Sequence, residues 1–164
     1  MASTQTPPRA QSSKAAQSIL RGGLVAGSLD GADAVLYNGM AHGVSAARLF
    51  QFIASGVLGP RAFHGGAAAA ALGVAIHFSI AMTAACAYYA LSRRLAALVR
   101  SPLLSGLAFG FALFLFMHFL AVPWSAAPKQ AGVGVGDLVN LVLSHVLFVG
   151  WPIALIARRY SLDG

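Results

Sequence analysis

The chain has 164 residues, 58% hydrophobic and only 9% charged, with a mean hydropathy of +0.74. Soluble domains carry about 25% charged residues, so this composition argues against an ordinary soluble enzyme and for a membrane protein. Eleven Lys and Arg against four Asp and no Glu give a net charge of +7. The basic residues flank apolar runs and form no patch with interleaved aromatics, which predicts a positive-inside membrane topology and no nucleic-acid partner.

Residues 1–18 are polar, with Pro, Ser and Gln and no apolar periodicity. They read as a disordered cytoplasmic tail, and residues 19–160 as one transmembrane domain. The first span is expected over residues 20–40, LRGGLVAGSLDGADAVLYNGM. The interruption of its apolar run by Asp30 and Asp33 fits an uncleaved helix better than a signal peptide. Gly23, Gly27 and Gly31 recur every four residues, leaving one face bare for close helix packing. Asp30, Asp33 and Tyr37 follow an i, i+3, i+7 spacing and form a polar stripe on another face.

Residues 45–58 read as an amphipathic interfacial helix. Leu49, Phe52, Ile53 and Gly56 lie on one side and Arg48, Gln51 and Ser55 on the other, with Gly59-Pro60 ending it. Residues 62–92 then run for 31 residues without Lys, Arg, Asp or Glu. They hold a second span at about 66–91, with His77 near its middle and Tyr88 and Tyr89 placed for an interface belt. The single cysteine, Cys86, excludes an internal disulfide and reads as packing.

Arg93, Arg94 and Arg100 mark a short basic loop. Ser101-Pro102 is a helix start, and a third span covers about 102–122 with Gly106, Gly110 and His118. Pro123-Trp124 ends it. The segment GVGVG reads as a flexible connector. Asp137 is placed to cap a fourth span, about 138–157, carrying Asn140, Ser144 and His145, with Pro152 expected to kink it.

Counting Lys and Arg over four spans puts eight on the side of the tail, the 93–100 loop and the C-terminus, against three on the other. Both termini are therefore expected to be cytoplasmic. At about 1.5 Å of rise per residue, Asp30, Asp33, His77, His118, Asn140, Ser144 and His145 all fall in the outer half or middle of the membrane. His42 and His64 fall in the outer loop. Buried Asp and His usually face a bundle interior and often mark proton or ion paths. The pattern leaves open a structural cluster, a proton or small-solute site, or a haem or metal site using His118 and His145. No spacing signature assigns a cofactor or metal, and there is no Walker A, HExxH, CxxC or nucleophile elbow, so no enzymatic activity is expected.

From His77 onward, spaced residues resemble the YagU-like family of small bacterial inner-membrane proteins. These are His77, Tyr88, the basic loop, Pro102, Gly106, Gly110, His118, Pro123, Pro128, and His145 before Arg158-Arg159. The resemblance covers about half of the chain and implies a four-span protein of the bacterial inner membrane. That family has no established biochemical activity, although a role in acid tolerance has been suggested. It carries an acidic residue one turn before the last-span His. Here that position is Leu141, with Asn140 beside it, so any carboxylate for that His has to come from Asp30 or Asp33.

The expected fold is all-α: a four-helix transmembrane bundle with an interfacial helix between the first two spans. The leading functional expectation is a non-enzymatic inner-membrane protein. In it Asp30 would accept a proton, Asp33 would be its hydrogen-bond partner, and His77 and His145 would be relays. A second is an accessory subunit whose Gly- and Ala-rich faces pack against copies of itself or a larger complex.

Overall fold

A computed structural model of the chain describes residues 8–129 and 132–162, with side chains for residues 13–129 and 132–160. Every regular element among them is helical. Helix α1 runs Pro8–His42 and α2 Ala46–Leu58, followed by a 3-10 turn Gly59–His64. Helix α3 is Gly66–Ser92 and α4 a short turn, Ala96–Arg100. Helix α5 is the continuous run Pro102–Trp124. Helix α6 consists of Val135–Leu143, a π-helical stretch Ser144–Gly150 and Trp151–Leu162.

Three helices are long and apolar enough to cross a membrane: Gly66–Ser92, Pro102–Trp124 and Val135–Tyr160. They hold the expected second, third and fourth spans. Helix α1, with its two mid-helix carboxylates and polar first turns, is not among them. Outward-facing Leu29, Leu36, Phe111, Leu115, Phe116 and Phe119 are each 39–63% exposed. An apolar surface of that extent belongs to a protein whose surroundings are hydrocarbon.

Helix α1 packs between α3 and α6, and α6 packs between α1 and α5. The core lies toward the end carrying Arg93, Arg94, Arg158 and Arg159, hereafter the basic end. It consists of Ala26, Ala84, Ala85, Tyr88, Val149, Ile153, Ala154 and Ala157, with Ile19, Leu98, Phe109 and Leu113 against it. Small residues dominate because helices in lipid associate by close van der Waals approach, with no hydrophobic gain. A Cβ on Gly110 would stand 2.7 Å from the Val146 Cα, and one on Gly150 would stand 2.6 Å from the Gly110 Cα. Gly106, Gly110 and Gly150 thus let the α5 and α6 backbones touch. On α1, a Cβ at Gly23 would meet the Met82 Cα at 2.9 Å and one at Gly27 would meet Phe78 at 2.8 Å, so this glycine stripe faces α3.

Several expectations are corrected. The described part of the expected disordered tail, from Pro8, is helical, and residues 1–7 lie outside the described residues. Ala15, Ala16, Lys14 and Gln17 are good helix formers, and Ser18 is buried at 3% exposure. Tyr88 is buried, not in an interface belt. Its hydroxyl donates to the Leu98 carbonyl at 3.1 Å and lies 2.8 Å from Ser105 Oγ. Ser55 is buried too, its hydroxyl satisfied by the Phe52 carbonyl at 2.6 Å, whereas Cys86 is exposed. Helix α6 begins at Val135, with part of GVGVG in its first turn. Asp137 is therefore its third residue, and its Oδ2 accepts from the Gly134 N–H at 3.3 Å.

Both prolines that were expected to end or kink spans follow a wide turn. Proline lacks an N–H, and its ring crowds the carbonyl four residues back. Upstream of Pro123 the stretch Met117–Ala121 is π-helical, and the Val122 N–H bonds the Met117 carbonyl. Upstream of Pro152 the Trp151 N–H bonds the Val146 carbonyl. In each case the acceptor is five residues back. Helix α6 passes Pro152 unbroken, whereas α5 ends at Trp124, next to Pro123, as expected.

Replacing Gly110 by Leu should abolish the α5–α6 contact. The expected outcome is a lower melting temperature in detergent, or loss of folded protein, while Ala71→Leu on the exposed face of α3 leaves the melt within error.

Candidate functional site

Helices α1 and α6 run antiparallel and carry matching polar residues. Asp30, Asp33 and Tyr37 on α1 are spaced by three and then four; so are Asp137, Asn140 and Ser144 on α6 in chain order, so that in the antiparallel pair each step of three on one helix meets a step of four on the other. The three α1 residues therefore share one helix face, as do the three on α6. In the structure they form three rungs. The Ser144 hydroxyl donates to Asp30 Oδ1 at 2.6 Å. The Asn140 amide donates to Asp33 Oδ2 at 3.1 Å. The Tyr37 hydroxyl donates to Asp137 Oδ1 at 2.9 Å, and His42 Nε2 donates to the same oxygen at 2.7 Å.

The rungs differ in charge. The top rung contains the ion pair that forms when His42 is protonated, and it is partly open to solvent, with side chains 44% and 31% exposed. Asp30 and Asp33 receive neutral donors only, and neither has a cationic partner among the described residues. Both are half-buried. Ser144 is 4% exposed, so its hydroxyl has few alternatives to Asp30. It is also the first residue of the π-helical stretch, which ties the deepest rung to the wide turn ahead of Pro152.

The histidines do not converge. His77 lies on the α3 side of α1, where Nε2 donates to the Gly27 carbonyl at 2.8 Å. Gly31 makes that approach possible, since a Cβ there would stand 3.1 Å from the same nitrogen. Phe50 and Phe78 flank the ring edge-on at 6.1 and 5.5 Å between centroids. His145 donates from Nδ1 to the Leu141 carbonyl of its own helix at 2.9 Å. With that tautomer, a neutral ring leaves Nε2 as an acceptor. His118 stacks on Phe114 at 5.4 Å, and His145 meets the same ring edge-on at 6.0 Å. Phe114 thus serves both rings as an apolar platform. His64 is exposed in the 3-10 turn. Among the described residues no group of three or more His, Cys, Asp or Glu gathers as a metal ion needs.

The expected cluster is therefore three separate arrangements: the α1–α6 ladder, His77 on the glycine stripe, and His118 with His145 about Phe114. Asp33 bonds Asn140, not Asp30, and His77 bonds the Gly27 carbonyl, not a carboxylate. Sequence reasoning missed His42 and Asp137, which form the top rung, because they were read as loop and cap. The signal was present in the shared three-then-four spacing of 30, 33, 37 and 137, 140, 144. No family model, curated protein or solved structure matches the chain.

A double-mutant cycle tests the ladder. Asp30→Ala and Ser144→Ala should couple by about 0.6–1.7 kcal/mol, the range for interhelical hydrogen bonds in membranes. Asp30→Ala and His77→Ala should be additive within error, as judged from unfolding free energies in mixed micelles.

Proposed function

We propose that this chain is a multi-pass inner-membrane protein of bacterial type with both termini cytoplasmic. In this reading α1 joins the three apolar helices as a fourth span, and the α1–α6 ladder is a proton or small-solute site. One observation carries the proposal: Asp30 and Asp33 sit half-buried between helices with neutral hydrogen-bond donors and, among the described residues, no cation. A carboxylate at bilayer depth costs about 2.5–3.5 kcal/mol on insertion scales. A single neutral donor offsets only part of that cost, so a proton or a cation bound there gains what the protein does not supply. Asp30 is the acceptor in this scheme, Ser144 orients it, and His42 with Asp137 forms the solvent-facing mouth. The YagU-like resemblance fits the same reading. The carboxylate missing before His145 is replaced by Asp30, which reaches Ser144, the residue next to that His.

The polarity of the ends supports the orientation. The described carboxylates Asp30, Asp33 and Asp137 occupy the half away from Arg93, Arg94, Arg158 and Arg159. The basic side is retained in the cytoplasm by the positive-inside bias. A helix of 35 residues, at about 1.5 Å per residue, is long enough for α1 to span and extend beyond the bilayer.

A second reading, an accessory or self-associating subunit, is favoured by a different observation. The glycine faces of α1 and α5 are consumed inside the chain, but Ala71, Ala75, Ser79, Thr83, Ala87 and Ala90 leave a small-residue face open along α3. Ser79 and Thr83 bond their own helix, donating to the carbonyls of Ala75 and Ser79. That face suits close approach by another transmembrane helix.

Asp30→Asn keeps an oxygen for the Ser144 hydroxyl but removes the titratable group. Reconstituted into vesicles loaded with a pH-sensitive dye, the wild-type protein should dissipate an imposed pH gradient and Asp30→Asn should not, with equal melting temperatures. Equal dissipation by both, or by neither, would sink the proton-site reading. Persistent dimers in mild detergent that Ala75→Leu splits into monomers would favour the subunit reading.

A further inference from the structure

At the basic end, the surfaces of α1 and α6 enclose a shallow groove of about 270 Å³, lined by Arg21, Leu24, Val25, Ile156, Arg159 and Tyr160. Its chemistry is ordered along the helix axes. On α1, Leu24 and Val25 lie one turn deeper than Arg21. On α6, which runs the other way, Ile156 lies one turn deeper than Arg159 and Tyr160. Both helices therefore place a cationic or hydroxyl-bearing side chain at the rim and apolar side chains on the membrane side. The Arg21 guanidinium lies 5.7 Å from the centre of the Tyr160 ring, which holds it over the groove. Among the described residues neither Arg21 nor Arg159 has a carboxylate partner. Among the described residues the two arginines line one groove without a counter-charge, and the ladder, which holds the described acids, is at the other end.

We infer that this groove binds one anionic phospholipid of the leaflet that meets the basic end. The phosphate sits between Arg21 and Arg159, with the Tyr160 hydroxyl as a third donor, and an acyl chain lies along Leu24, Val25 and Ile156. Arginine suits this role because its planar fork donates two hydrogen bonds to phosphate oxygens. Basic pockets between helices on the cytoplasmic side recognise acidic headgroups in this way. The inference needs only that this end of α6 meets a bilayer surface, and it is independent of any proton chemistry at Asp30. Its consequence is mechanical. A lipid bridging Arg21 and Arg159 would clamp α1 to α6 at the end opposite the ladder.

The test is native mass spectrometry of the purified chain titrated with phosphatidylglycerol or phosphatidylcholine in mild detergent. Phosphatidylglycerol should bind with one tight site and phosphatidylcholine should not. Each arginine charge lost should weaken phosphatidylglycerol about fivefold, so Arg21→Gln/Arg159→Gln falls to the phosphatidylcholine level. Arg93→Gln/Arg94→Gln, at the same end but outside the groove, should bind as the wild type does. Ile156→Trp fills the apolar part and should weaken the lipid with both charges in place. Should the double variant fail to fold, Arg159→Gln alone carries the test, with a fivefold loss expected at an unchanged melting temperature. Undiminished binding by the Arg21 and Arg159 variants would overturn the inference. So would an equal loss in Arg93→Gln/Arg94→Gln, or complete displacement of the lipid by inorganic phosphate, which would make this a simple anion site.

Discussion

The register of α1 against α6 is the constraint on which the rest of the molecule depends. A carboxylate half-buried between helices is cut off from much of the water, so Asp30 and Asp33 find donors on a neighbouring helix. Helix α6 offers Ser144 and Asn140 one turn apart, and Asp137 in turn accepts from Tyr37 and His42. Three rungs over two turns leave little freedom. Rotating either helix by one residue, about 100°, would break all of them together. Such hydrogen bonds are individually modest in membranes, and their value here is in fixing which faces meet.

Once that face of α1 is committed to α6, the glycine stripe is committed to a different neighbour. Gly23, Gly27 and Gly31 lie a quarter-turn around the helix from the carboxylates and receive Met82, Phe78 and His77 of α3. His77 uses the absence of a side chain at Gly31 to reach the Gly27 carbonyl. The two modes of contact divide the labour. Polar rungs select the register, and bare backbone gives the close approach that van der Waals attraction needs. The same division recurs on α6. Ser144 and Asn140 face α1, while Gly150 packs against Gly106 and Gly110 of α5.

The prolines shape the site without touching it. A regular helix through Pro152 would crowd the carbonyl four residues back, and the π-helical turn at Ser144–Gly150 removes that conflict. The widened turn rotates the residues on either side relative to one another. It therefore decides how Ser144 and His145, which begin it, are presented to α1 and α5. A residue at the basic end of the helix thus sets geometry at the deepest rung.

Much of the architecture was legible because it is local. The scarcity of charge over residues 62–92 and 101–128 marks helices that match hydrocarbon thickness. The alternation of Arg48, Gln51 and apolar residues marks the amphipathic α2, and Ser45 and Gly59 bound it. Spacing by itself also grouped Asp30, Asp33 and Tyr37 on one face of α1 and the glycines on another. What spacing could not supply is the rotation of each helix about its axis relative to its neighbours, because composition gives depth and periodicity but not partners. Only the tertiary structure decided that His77 points to a glycine carbonyl instead of a carboxylate. The same holds for the meeting of His118 and His145 about Phe114, the burial of Tyr88 with Ser105, and the place of His42 and Asp137 in the ladder. Those outcomes depend on contacts between residues on different helices, up to 100 positions apart, set by which helix faces can touch without burying an unpaired polar group.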